Sequence, residues 1–404
     1  MKIKKIIIAV TFISTLLNPI YSFSEEQSRA RDLGIPFHGT TGPLNAITDV
    51  KGVEVGQVTL FEGNGALIVG KGPIRTGVTS ILPRGKNSTV PVFGAWFTLN
   101  ASGEMTGTTW LEERGLIDGP ISITNTHSVG VVRDASVAFM VNKGWKARWH
   151  APVVAETYDG VLNDINGFHV TKEHALEAMN KAQSGPVEEG VVGGGTGMIC
   201  NGYKGGIGTS SRTFELEEQS YTLGVLVQCN YGNRRLLRIA GKPIEELTKT
   251  PGPCYTNPNL KRHFSFAPYC EKEKQAKVDN NKGRDGSIII VVATDAPLLP
   301  HQLKRLIKRP SLALGRLGAV SSGGSGDIFI AFSTAGGGVL NEDTSVEVKM
   351  FPNNTITTVF EAVIDATEEA VVNAMVAAKT TIGVAGIKIE ELPKDQISKI
   401  FNNY

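Results

Sequence analysis

The run Gly286-Ser287-Ile288-Ile289-Ile290-Val291-Val292-Ala293-Thr294 sets the terms for the rest of the chain. Five consecutive β-branched apolar residues, with no polar residue between them, read as a strand buried on both faces. Such a strand needs a packed layer on each side. Downstream, Leu299, Leu303, Leu306 and Ile307 fit one helix face, and Asp327 to Thr334 (DIFIAFST) reads as a further strand. Phe360, Val363, Ile364, Thr367, Val371, Ala374, Met375 and Ala378 keep helical spacing over about five turns. Upstream, strands are expected at Ile47 to Phe61, Gly77 to Pro83, Val90 to Leu99, Pro152 to Tyr158 and Tyr221 to Asn230. Helices are expected at Val129 to Val141 and Thr171 to Ala182. Strands and helices alternate along the whole length, which predicts a layered α/β or α+β body. No fixed-period repeat is present.

Composition agrees with a large layered protein. The 404 residues are 41% hydrophobic and 20% charged, and 46 of them are glycine, well above the roughly 7% usual in globular chains. That excess favours tight turns and close backbone approaches over a helical bundle. Lys+Arg 41 against Asp+Glu 39 gives no basic face for nucleic acid and none of the charge imbalance of a disordered chain.

Residues 1–24 have the three parts of a secretory signal: Met1-Lys2-Ile3-Lys4-Lys5, the apolar run Ile6 to Leu17, and small residues at Ser22-Phe23-Ser24. The apolar run is too short to span a bilayer comfortably. Removal of this segment takes away three lysines and turns the formal charge from +2 to −1. The expected product is secreted or periplasmic, with no membrane attachment. In such a compartment disulfides persist. Cys254 and Cys270 flank a Pro/Asn/Phe stretch and either staple it or stay apart. Cys200 and Cys229 lie in apolar strand-like surroundings and read as small buried side chains. No zinc-type cysteine spacing occurs. Thr248 to Gly286 carries eight Lys/Arg against four Asp/Glu with little periodicity and reads as an exposed linker.

Familiar catalytic motifs are missing. There is no HExxH, no GxxxxGK[ST] and no GxSxG nucleophile elbow. Gly193-Gly194-Gly195-Thr196-Gly197 lacks dinucleotide spacing and reads as a turn or backbone crossing. His127, His169 and His301 read as packing or polar-network residues. The Gly286–Ser287 junction is more informative. A cut there would leave Ser287 with a hydroxyl and a free α-amine at a strand end. Such an amine titrates near ~7.7–8.0, suited to a general base at neutral pH, and a nucleophile so activated needs no histidine. From the dipeptide alone, a turn residue before a strand is the commoner reading.

Five segments in order carry a resemblance: Arg31-Asp32-Leu33-Gly34-Ile35, Thr124-Asn125-Thr126-His127, Val191 to Arg212, Asp285 to Leu299 and Gly323 to Thr334. Together they resemble the DmpA-type aminopeptidases, the L-aminopeptidase/D-amidase-esterases and β-aminopeptidases. The resemblance implies a four-layer αββα sandwich, similar to Ntn hydrolases but differently connected. It also implies a precursor that cleaves itself between Gly286 and Ser287. The large chain would then be residues 25–286 (with the linker 248–286) and the small chain residues 287–404, sharing one folded domain. Ser287 would be the nucleophile. Ser325 and Asp327 would orient it and shuttle protons, at an acidic position where some relatives carry Glu. Tyr158 and Asn230 would donate to the oxyanion, and Glu156, two residues from Tyr158, would hold the substrate's free ammonium. Short peptides, amino-acid amides or esters are the implied substrates, with no metal or organic cofactor and no nucleic acid partner. A homo-oligomer, four heterodimers, is the implied assembly. Two other readings start from the same residues: an acyltransferase similar to ornithine acetyltransferases, and a non-enzymatic exported binding protein.

Overall fold

Along the strand Ser287–Thr294, side chains alternate between two cores. Ile288, Ile290 and Val292 belong to one cluster, and Ile289, Val291 and Ala293 to another. The pleat sends successive side chains to opposite faces, so an unbroken apolar run can only be satisfied by a core on each side. A computed structural model describes residues 28–216, 218–271, 286–336 and 344–402, and in it this strand is central to a six-stranded sheet. The order across that sheet is Leu116–Ile117, Val92–Ala101, Gly326–Ser333, Ser287–Thr294, Gln219–Asn230 and Gly206–Leu216. Ser287–Thr294 runs parallel to Gly326–Ser333 and antiparallel to Gln219–Asn230.

A second sheet of four strands, Glu54–Glu62, Ile74–Leu82, Ile121–Asn125 and Val153–Thr157, faces the first. Ile81, Ile121, Ile123, Val153 and Ala155 from this sheet pack with Ile289, Val291, Ile328 and Phe332 from the other. Helices close both outer faces. Thr357–Ala377, Pro300–Leu306 and Pro310–Arg316 cover the six-stranded sheet. Val129–Asn142 and Lys172–Lys181 cover the four-stranded one through Val132, Phe139, Ala175 and Met179. The result is the four-layer αββα sandwich that the resemblance implies.

The long helix approaches its sheet unusually closely. A Cβ at Gly208 would overlap the carbonyl oxygen of Ala370 and crowd the Ala374 backbone, so here the helix backbone rests on the strand backbone. This supplies one reason for the glycine-rich composition.

Three expectations need correction. The strand expected from Ile47 begins at Glu54, because Asp49 accepts from the backbone N–H groups of Leu44 and Ala46 and from Ser211 Oγ, holding Ile47–Asp49 in a tight turn. Cys200 and Cys229 are not separate small side chains: they form a disulfide with Cα atoms 5.4 Å apart. The stretch read as an exposed linker is exposed at residues 256–259 and 261–263 yet anchored at its ends. Cys254–Tyr255 pairs with Ile387–Ile389, Tyr255 and Ala267 enter a small core, and Cys254 is bonded to Cys270. Residues 272–285 of that linker, and the signal at 1–24, lie outside the described residues.

Gly208→Ala is expected to destabilise the fold by about 2–4 kcal/mol, because neither backbone can retreat without displacing the helix. Denaturant unfolding of the variant against the parent checks this, and a change below about 0.5 kcal/mol would contradict the close packing.

Candidate active site

Ser287 is the first residue of its strand and only 6% exposed. It stands between Asn230 on one neighbour and Gly326 on the other, its register partners on the two sides. The carbonyl of Gly286, on the amino side of Ser287, accepts from the Gly326 N–H at 3.1 Å. Space is tight on both flanks. A Cβ at Gly286 would overlap the Asn230 carbonyl oxygen, and one at Gly326 would lie 2.9 Å from Ser287 Oγ and still nearer the Ser102 carbonyl oxygen. Glycine at these two positions is a requirement of room, which lets two backbones close around one hydroxyl.

Ser325 and Asp327 bracket Gly326. Ser325 Oγ donates to Asp327 Oδ1 at 2.6 Å, and both residues are buried. Burial pushes the Asp327 carboxyl above its usual range, and the hydroxyls of Ser325 and Ser321 pull the other way. Register places Asp327 opposite Ile288, on the helix side of the sheet, where its charge is felt by Tyr231. Ser287 shares its face with Ile289 and Val291, toward the other sheet. The Ser325–Asp327 pair therefore comes to Ser287 from the opposite face to its hydroxyl.

Asn230 is held in one orientation. Its Oδ1 accepts from the Ile199 N–H at 2.8 Å and its Nδ2 donates to the Tyr158 carbonyl at 2.9 Å. A primary amide has two N–H bonds, so this arrangement leaves one for a ligand. Tyr158 follows the strand Val153–Thr157 and is 45% exposed; its backbone is tied to Asn230 and its ring lies over Gly160, where a Cβ would overlap the hydroxyl. Burial and the neighbouring Asp159 both push its phenol upward, so it stays protonated at neutral pH. Tyr158 lies past the strand end, so it does not share a strand face with Glu156 as its spacing suggests.

Glu156 is 3% exposed and belongs to the four-stranded sheet. Its Oε1 accepts from the Glu104 N–H at 3.0 Å, and its Oε2 accepts from Thr126 Oγ1 at 2.5 Å. A Cβ at Gly103 would be 3.0 Å from Glu156 Oε1 and 3.5 Å from Gly326 Cα, so this carboxylate and the serine strand's partner lie on either side of one glycine. Burial pushes the Glu156 carboxyl upward. Thr126, the Glu104 N–H and His127 oppose that, while the Glu104 carboxylate adds to it.

Sequence reasoning passed over the loop Ser102-Gly103-Glu104. It joins the two halves of the site: the Ser102 N–H donates to the Ser325 carbonyl at 3.2 Å, and Glu104 binds Glu156. The resemblance included Thr126 only as part of a motif, although it contacts Glu156 directly. His127 stacks on Phe168, and His169 binds Asp164, as packing and network residues. Asp159 was also missed. It is fully buried, its Oδ1 accepts from Asn163 Nδ2 at 3.1 Å, and burial lifts its carboxyl to about 7. A carboxyl raised from 3.8 stabilises the fold fully below about pH 4, and that contribution is lost as pH rises through 7. Between pH 4 and pH 9 the unfolding free energy of Asp159→Asn is therefore expected to gain on the parent by up to about 4 kcal/mol. Paired denaturation curves at the two pH values test this; a constant difference would refute it.

Comparison with known proteins identifies the family. The model of peptidase family S58 matches residues 45–389. The chain is 55% identical over 385 residues to the β-peptidyl aminopeptidase BapA of Sphingosinicella microcystinivorans, covering 94% of this chain and 93% of that one. Among solved structures it is similar to the L-aminopeptidase D-Ala-esterase/amidase of Ochrobactrum anthropi, described as a variant of the Ntn hydrolase fold. That match has TM-score 0.81 and 42% identity, covering 93% of this chain and 98% of the other. It is also similar to a β-aminopeptidase from Burkholderia sp., with TM-score 0.78 and 43% identity over 93% and 99% of the two chains. The chain belongs to peptidase family S58 and is a hydrolase of the aminopeptidase kind.

Proposed function

We propose that the chain cuts its own Gly286–Ser287 bond and then, through Ser287, removes β-amino-acid residues from the amino ends of short peptides and amides. The observation that carries the first half is the placement of Ser287 and Gly286. The hydroxyl sits in a glycine-walled slot, and the carbonyl next to it already accepts from the Gly326 N–H. Attack of Ser287 Oγ on the Gly286 carbonyl carbon forms an ester as the C–N bond breaks. Water then hydrolyses the ester, leaving a Gly286 carboxylate and a Ser287 with a free amine. The proposed products are the chains 25–286 and 287–404.

The free amine is the base in the second reaction. It takes the proton of Ser287 Oγ as that oxygen attacks the substrate carbonyl, returns it to the leaving amine, and serves again when water releases the acyl group. Asn230 is proposed to stabilise the oxyanion with its remaining N–H, together with the Tyr158 phenol. Ser325 and Asp327, which lie on the opposite sheet face from the hydroxyl, are proposed to act on the α-nitrogen of Ser287. Glu156, across the inter-sheet gap and fixed at both oxygens, is proposed to bind the substrate ammonium. The preference for a β-residue rests on the 55% identical relative, whose name records that activity. Export by residues 1–24 is part of the same reading and is supported by two disulfides, which persist in oxidising compartments.

Denaturing mass measurement of the purified protein is expected to give two chains divided at Gly286/Ser287, and one uncut chain for Ser287→Ala. An uncut parent with full activity would overturn the proposal. Asn230→Ala is expected to lower kcat by about 10²–10³. Glu156→Gln is expected to raise KM more than it lowers kcat, because it weakens a charge contact made before the chemical step. Hydrolysis of β-alanyl p-nitroanilide is expected to exceed that of L-alanyl p-nitroanilide in kcat/KM, and the reverse order would remove the β-residue assignment.

A further inference from the structure

Behind Asn230 lies a lysine that the reaction as described does not use. Lys204 is 0% exposed, in the short hairpin Ile199–Cys200 and Tyr203–Lys204. Its Nζ faces backbone carbonyls: Met198 at 2.7 Å, Gly205 at 2.7 Å and Gly195 at 3.5 Å. Among the described residues no carboxylate forms an ion pair with it. Burial pulls its pKa down to about 7, and three convergent carbonyls match the three protons of an ammonium where a neutral amine would offer two. A buried cation without a counter-charge is costly to keep for packing alone.

The position of Met198 suggests what it does. The carbonyl of Met198 and the N–H of Ile199 belong to one peptide group. Lys204 donates to the carbonyl end, and the N–H end donates to Asn230 Oδ1. Asn230 Nδ2 in turn points its donors away from that contact, one of them to Tyr158. Three planar or charged groups thus stand in series: ammonium, peptide, carboxamide. Hydrogen bonds in such a chain polarise one another. A positive charge on the peptide oxygen makes the Ile199 N–H a stronger donor, and that draws electron density toward Oδ1 and makes the Asn230 N–H bonds more acidic.

We propose that Lys204 is a positioning residue for the reaction, fixing and polarising Asn230 through the Met198–Ile199 peptide group. The inference rests on the assignment of Asn230 as an oxyanion donor. Its effect belongs to the transition state, when charge develops on the substrate oxygen, so it acts on kcat and leaves KM nearly alone.

The test is a double-mutant cycle on the mature protein, with kcat normalised to the fraction of cut chain. Lys204→Met is expected to lower kcat about tenfold with KM within threefold of the parent. Lys204→Gln, which keeps a neutral donor, is expected to lose about threefold. In an Asn230→Ala background neither change is expected to lower kcat further. A lysine that only holds the glycine-rich loop would give the same loss with and without Asn230, or would raise KM; either result overturns the proposal. Full rescue of kcat by glutamine would also overturn it, by showing that the charge is not used. If the methionine variant does not fold, the glutamine variant carries the same cycle. If Asn230→Ala alone keeps full activity, the oxyanion assignment itself fails, and that outcome is distinct from additivity in the cycle.

Discussion

Everything at the site depends on a strand that is buried on both faces and begins at Ser287. Because Ile288 to Ala293 fill two cores by strict alternation, a slip of one residue would invert every side chain between the inter-sheet core and the helix side. The register of Ser287 is therefore fixed by several large side chains at once. Its hydroxyl faces the inter-sheet gap because Ile289 and Val291 do. This is how hydrophobic burial, which has no direction of its own, positions a hydroxyl.

The same alternation divides the site's labour. Glu156 comes from the second sheet and meets the serine strand across the inter-sheet layer, with Gly103 between them. Asp327 comes from the adjacent parallel strand but lies on the helix side. In the proposed reaction, a carboxylate on each side of the six-stranded sheet would hold two positive groups apart: the ammonium of a substrate in the gap, and the α-amine of Ser287 at the strand's end. Were both on one face, like charges would compete for one cation and each would raise the other's pKa.

The fold was largely legible because its signal is local. Ser287 to Thr294, Gly326 to Ser333 and the helix Thr357–Ala377 announce themselves by period and by β-branched composition, and the structure agrees within a few residues. The site was legible only in part. Ser287, Asn230 and Glu156 do come together, but the motifs that named them say nothing of Ser102 and Gly103, whose role is made by backbone N–H groups and missing side chains. Lys204 and Asp159 carry no sequence signal of their own; what makes them notable is complete burial, a property of the assembled layers. Cys200 and Cys229 are 29 residues apart and meet only because the Ile199–Cys200 hairpin folds back against the end of the strand Gln219–Asn230. Pairings of that kind are set by topology, and spacing alone does not carry them.

The close packing at Gly286 also orders events in time. The Gly326 N–H can hold the Gly286 carbonyl only after two successive strands, joined by a helical crossover, have aligned in parallel. Parallel pairing needs a long crossover and forms late compared with hairpins. The proposed cleavage therefore has to follow assembly of the core, since before it neither the slot around the hydroxyl nor the donor on the carbonyl exists. In the proposed product the strand would still be held by its two cores. What would change is its first nitrogen, from an amide without basicity to an amine that can take a proton. The fold is thus a precondition of the proposed reaction, because the two strands that flank Ser287 and define its slot stand together only in the assembled sheet.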